Sequence, residues 1–158
     1  MSTPAPPLRF IADVHLGRLA HYLRMLGFDT LYDNAYTLAE QVRRAMPLNR
    51  MMLSRDPLLY KRSQGMPFYL VRSEDPREQL QTLLHDLKLL PCMRPFTRCM
   101  ACNGVLEPVE KSAIEARLLP NTRAAYQEFW QCIHCSRLYW KGPHYQRMQT
   151  LIHHFSAP

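Results

Sequence analysis

Two Cys-x-x-Cys pairs, Cys99/Cys102 and Cys132/Cys135, stand 29 residues apart in the last third of the chain. Two intervening residues let both thiolates of a pair grip one ion, and two such knuckles close a tetrahedron around Zn²⁺. The alternative is a pair of short disulfides. The spacing therefore predicts a four-cysteine zinc ribbon with a structural zinc ion. A segment of roughly sixty residues buries little apolar surface, so the metal would supply much of its folding energy. Phe129, Trp130, Tyr139 and Trp140 are the aromatics available for its small core. Thiolates kept for metal, with an odd Cys92, point to a reducing compartment, the cytoplasm.

The first ninety residues read differently. Leu8 to Ala12 is an apolar strand, and Leu16, Leu19, Ala20, Leu23 and Leu26 then repeat at helical spacing up to the stop at Gly27. Asp29 to Tyr32 is a second strand. Thr37 and Glu40 have capping-box spacing for a helix that Pro47 ends. Arg50 to Ser54 is a buried strand, and Asp56-Pro57 opens a short helix. Phe68 to Val71 is the fourth strand, and Asp75-Pro76 opens a helix carrying Leu80, Leu83, Leu84 and Leu87 on one face. Alternating strands and helices predict an α/β fold, a parallel sheet covered by helices, followed by the small ribbon. The expected boundaries are a disordered leader over 1–7, the α/β domain over 8–90, a linker over 91–97, the ribbon over 98–148 and a tail over 149–158. No apolar run approaches the roughly 18 residues of a membrane span.

Three of the predicted strands run into an aspartate: Asp13, Asp33 and, two residues further on, Asp56. In an open parallel sheet the ligand crevice lies beyond the carboxyl ends of the strands. Carboxylates gathered there would repel one another unless a hard divalent cation, Mg²⁺ or Mn²⁺, relieved them. Glu40, one turn into its helix, is a fourth candidate ligand. Each also has a plainer reading, as turn former (Asp33) or helix cap (Asp56, Glu40). The five glycines form no phosphate-binding loop motif.

The chain carries 20 basic and 13 acidic residues, a net charge of +7. A basic surface attracts phosphate backbones. After the second knuckle, Arg137 to Arg147 interleaves rings with cations. There Trp140 is placed to stack on unpaired bases, and Lys141, His144 and Arg147 to hold phosphates. RNA is the partner this suggests.

Several of these segments together carry a resemblance. Phe10-Ile11-Ala12-Asp13-Val14-His15-Leu16-Gly17-Arg18-Leu19-Ala20, then Leu23 to Asp29, resembles the Mut-seven C-terminal RNase family. Leu53-Ser54-Arg55-Asp56 is similar to that family's Leu-Thr-Arg-Asp motif, Gln79-Leu80 to its Gln-Leu pair, and Arg98 to Gly104 with Cys132 to His144 to its zinc segment. The likeness runs from Leu8 to about Met148. It implies a PIN-like nuclease domain fused to a zinc ribbon. In that family Asp13 and Asp56 would be metal-binding carboxylates and Arg55 a phosphate contact. Two positions depart from the pattern: Leu38 stands within the usual acidic stretch, and Ser136 where glycine is common. The expected function is a metal-dependent ribonuclease using Asp13, Asp56, Glu40, Asp33 and Arg55. A non-catalytic RNA- or ribosome-binding zinc-ribbon protein is the alternative, and a protein-interaction adaptor a third reading.

Overall fold

The computed structural model describes residues 8–63 and 65–156. The leader expected over 1–7 lies outside them. Four short strands, β1 (Phe10–Ala12), β2 (Thr30–Leu31), β3 (Met51–Ser54) and β4 (Phe68–Leu70), pair in parallel in the order β2-β1-β3-β4. Side chains alternate across the sheet. Phe10, Ala12 and Leu53 face one core, which the helices α1 (Gly17–Met25) and α4 (Pro76–Asp86) cover with Leu19, Leu23, Leu80, Leu83 and Leu84. Ile11 and Met52 face the other, covered by α2 (Leu38–Ala45) through Val42 and Ala45. The short α3 (Pro57–Arg62) lays Tyr60 edge-on against Phe68.

The helix starts follow local chemistry. The side chains of Thr37, Asp56 and Asp75 accept hydrogen bonds from the backbone N–H groups of Glu40, Leu58 and Glu78, and proline follows two of these caps. Gly27 ends α1 at φ +91, and a Cβ there would fall on the Arg94 carbonyl. That carbonyl belongs to the segment leading into the ribbon, and Arg94 N–H in turn donates to Leu26 O at 2.7 Å.

Beyond it, β5 (Leu106–Val109), β6 (Phe129–Cys132) and β7 (Leu138–Tyr139) form an antiparallel sheet in that order. The α/β-plus-ribbon architecture is thus the expected one, with one addition. Two short helices, α5 (Lys111–Ile114) and α6 (Pro120–Ala125), intervene between β5 and β6. Ile114 and Leu118 pack there on Phe129 and Trp140, giving the ribbon a second small core. A last helix, α7 (Pro143–Ser156), runs unbroken through position 148. Its Leu151 and Phe155 return to the core of the first domain. No helix among the described residues is long and apolar enough to cross a membrane.

Candidate metal centre and active-site crevice

The two knuckles bring the four cysteine Sγ atoms within 4.8 Å of one another. Cys99 and Cys135 are 3.6 Å apart and Cys102 and Cys132 3.4 Å, far longer than a disulfide. Four sulfurs at about 2.3 Å from a zinc ion lie about 3.8 Å from each other, so the cluster fits a structural zinc site. The hydrogen bonds around the cluster favour the thiolate at Cys99, whereas burial pushes the Cys102 and Cys135 thiols up. N–H groups of Gly104, His134 and Cys135 point at Cys102 or Cys132 Sγ at 3.4 to 3.5 Å. The Tyr139 hydroxyl sits 2.9 Å from Cys99 Sγ while accepting Met100 N–H. Burial pushes the Cys99 thiol up, but Tyr139 and the N–H groups of Cys102 and Ala101 outweigh it and bring it down to about 7. At Gly104 a Cβ would stand 2.6 Å from Cys132 Sγ, so glycine is what lets the knuckles close.

The knuckle is also welded to the α/β domain. Buried Arg24 of α1 donates to the carbonyls of Thr30, Met100 and Ala101. Asn103, left-handed at φ 71, accepts Thr30 N–H and donates to Asp29. Thr30 lies on β2, the edge strand, so an amide side chain supplies the pairing that a fifth strand would have given. Asp29 gathers Arg50 at 2.7 Å, Arg9 at 3.6 Å and Arg98 at 3.8 Å. Neither Arg24 nor Asn103 was among the sequence candidates. A cation on an apolar helix face and an asparagine beside a knuckle glycine were the signals present.

The parallel pairing puts the residues that follow β1, β2 and β3 at one edge. The order β2-β1-β3-β4 reverses direction between β1 and β3, and that is where such sheets open a crevice. Asp13 extends β1 there, its N–H donating to Leu53 O. The residue is only 8% exposed. The Ser54 hydroxyl donates to Asp13 Oδ2 at 2.8 Å and accepts Asp56 N–H at 3.1 Å. Ser54 thereby couples the two aspartates, a role the sequence marked only as a hydroxyl ending an apolar strand. Among the described residues no basic side chain pairs with Asp13. Tyr32 braces the following turn by donating to Val14 O at 2.9 Å.

The other predicted residues lie as follows. Asp56 Oδ1 caps α3 through Leu58 N–H, with its second oxygen unengaged among the described residues. Asp33 is exposed and closes its own turn through Ala35 N–H. Glu40 is half-buried on α2, its N–H capped by Thr37. Arg55 extends to Glu74 at 3.3 Å, both side chains well exposed. Among the described residues, the cysteines are the one set of three or more His, Cys, Asp or Glu whose ligand atoms gather as a metal site; the carboxylates do not form a second. In the ribbon, Trp140 leans on Phe129 at 6.0 Å. Lys141 lies over the Trp130 and Tyr145 rings at 5.5 and 5.7 Å. His144 and Arg147 are exposed on α7.

Compared with known families, residues 8–152 match the family described as the Mut7-C RNAse domain. No curated protein and no solved structure matches the chain.

Proposed function

The chain belongs to the Mut7-C RNase domain family, and from that premise we propose a metal-dependent ribonuclease whose hydrolytic site is the Asp13–Ser54–Asp56 crevice. The observation that carries this is Asp13: an aspartate 8% exposed as a residue, at the switch point of a parallel sheet, with no basic partner among the described residues. A buried anion without a counter-charge is costly, and a hard cation would relieve it. Asp13 and Asp56 would hold Mg²⁺ or Mn²⁺ through the carboxylate oxygens that Ser54 and the α3 cap leave open. Glu40, and Asp33 if its turn rearranges, are the further ligand candidates. When bound, such an ion supplies a more acidic water and neutralises phosphate charge.

The chain's own groups do the rest. Ser54 fixes the rotamer of Asp13 and the backbone of Asp56 together. Arg55 is held beside the crevice by a weak, exposed contact to Glu74, so it is free to exchange that partner for a phosphate. The zinc ribbon serves as the RNA-holding appendage, with zinc as scaffold rather than catalyst. A reducing cytoplasm suits its thiolates.

A second reading has its own support. The acidic side chains do not gather as a set of three among the described residues, which suits a non-catalytic RNA-binding zinc-ribbon protein. One experiment separates the two. Zinc-loaded protein is incubated with a fluorophore-quencher RNA and Mn²⁺ or Mg²⁺, beside Asp13→Asn. The ribonuclease reading expects cleavage that falls about 10²-fold or more in the variant. Equal, background-level rates for both proteins would leave the binding module.

A further inference from the structure

Two cavities meet at the joint between α1 and the ribbon. One, of about 370 Å³, has apolar and aromatic walls from Met25, Phe96, Tyr145 and Trp140. The other, of about 480 Å³, is lined by His21, Arg117 and Arg137. They share Met100, Leu138, Tyr139, Trp140 and His144, so β7 and the residue after it form a common wall between two lobes of one groove. Both volumes lie within the roughly 300–1,000 Å³ of ligand clefts.

The charge on this groove has one sign. Arg98, His144 and Arg147 stand in the first lobe and Arg117 and Arg137 in the second, and neither lining contains an aspartate or glutamate. Arg117 is engaged with the Ser136 carbonyl, and Arg98 with that of Asn103 and with the Asp29 carboxylate. Among the described residues, the side chains of Arg137 and Arg147 have no hydrogen-bond or ion-pair partner. His21, on α1, faces His144 on α7. Burial, with Arg24 and His144 adding to it, holds His21 below the usual imidazole range, so near neutrality it offers a neutral ring.

We propose that this groove binds unpaired RNA, with bases entering the aromatic lobe against Trp140 and Tyr145 while Arg137 and Arg147 take phosphates on either side of β7. The chemistry selects that occupant. Two cations without a counter-charge, Arg137 and Arg147, call for a polyanion, and the apolar walls between them call for flat rings, which a duplex keeps stacked inside itself. The groove draws on α1 as well as on the ribbon, so it exists only while the two domains are joined. This inference rests on the ribonuclease reading for the nature of the polymer, but the groove is separate from the acidic crevice and binding there needs no cleavage.

The test uses the whole chain, zinc-loaded and carrying Asp13→Asn, without Mg²⁺ or Mn²⁺, and fluorescence anisotropy of a labelled single-stranded RNA dodecamer and its duplex. Arg137→Ala with Arg147→Ala should weaken single-strand binding about tenfold or more. It should also flatten the salt dependence by about 1 to 1.5 in log–log slope, the share of two phosphates. Arg43→Ala with Arg62→Ala, two exposed cations on α2 and α3, should change neither. With Trp130→Phe, Trp140 is the sole tryptophan, and its emission should be quenched by the single strand. The proposal is overturned if the groove variant binds like its parent, if both arginine pairs weaken binding equally, if the duplex binds as tightly as the single strand, or if no RNA binds. Cleavage by the wild type with Mn²⁺ is measured separately, so loss of the groove and loss of the nuclease reading give different results.

Discussion

At the scale of single residues, Ser54 makes the sharpest prediction. Its hydroxyl is wholly buried and both donates to Asp13 and accepts from Asp56 N–H. Ser54→Ala leaves a buried carboxylate oxygen and a backbone N–H without their partner, a loss of about 1–3 kcal/mol. Urea denaturation should register that loss, and RNA cleavage should fall, while Ser54→Thr restores both. An alanine variant with unchanged stability would show that water replaces the hydroxyl. Asp29 yields a pH prediction. Burial raises its pKa, but hydrogen bonds from Arg50 and Asn103, and the charges of Arg50 and Arg98, outweigh burial and leave it below the ordinary aspartate value of 3.8. A carboxylate with a depressed folded pKa contributes stability that is present above the unfolded pKa and lost as pH falls through the folded one. Thermal stability should therefore decline as pH drops from about 5 to below 4, and Asp29→Asn should be less stable at pH 7 but flatter over that window. Parallel slopes for both proteins would assign the acid sensitivity elsewhere.

At the scale of elements, the zinc knuckle and β2 form one unit. Thr30 N–H is held by Asn103, four residues after the first cysteine of the cluster, and Arg24 holds the carbonyls of Met100 and Ala101. Removing zinc leaves four thiol groups that no longer share an ion, and the knuckle that presents Asn103 loses its shape. Hydrogen exchange after treatment with a strong zinc chelator should show lost protection both across the ribbon and at the Thr30 amide. Met52 and Leu53, on the central strand β3, should stay protected. A Thr30 amide that remains protected would mean that the edge is held without the knuckle. The same contact explains what could be read from the sequence. The caps at Thr37, Asp56 and Asp75 and the stop at Gly27 are local events, settled by neighbours a few residues away. The sheet edge carrying Asp13, Asp33 and Asp56 followed from alternation and from parallel pairing. Arg24 and Asn103 reach partners 73 to 77 positions distant, and no periodic pattern marks such a bond. The helices α5 and α6 were equally silent, because segments of four and six residues give too few turns for a helical repeat to register.

At the scale of the whole molecule, the sequence suggested two bodies joined by a linker, whereas the contacts predict joint unfolding. Arg24 and Asn103 tie the ribbon to the sheet edge from one side. From the other, α7 leaves the ribbon and lays Leu151 and Phe155 on the core of the α/β domain. Neither domain can open without stripping buried polar partners from the other, which costs more than opening an exposed joint. Two probes can report on the two parts independently. Both tryptophans, Trp130 and Trp140, lie in the ribbon, whereas far-UV circular dichroism is dominated by α1, α2, α4 and α7. For zinc-loaded protein the urea transitions followed by tryptophan emission and by ellipticity should coincide in midpoint and slope, the mark of a single cooperative unit. Leu151→Ala with Phe155→Ala removes part of the α7 contact at a cost of about 2–5 kcal/mol per fully buried site, less here because both are only partly buried. That variant should lower the shared midpoint without splitting it, since the Arg24 and Asn103 bonds remain. Adding Asn103→Ala should then let the tryptophan transition run ahead of the ellipticity, because only Arg24 and the long Arg98–Asp29 pair would still tie the ribbon to the sheet edge. Transitions that already separate in the wild type would mean that the weld is too weak to couple the domains. The groove between them would then open before either part unfolds.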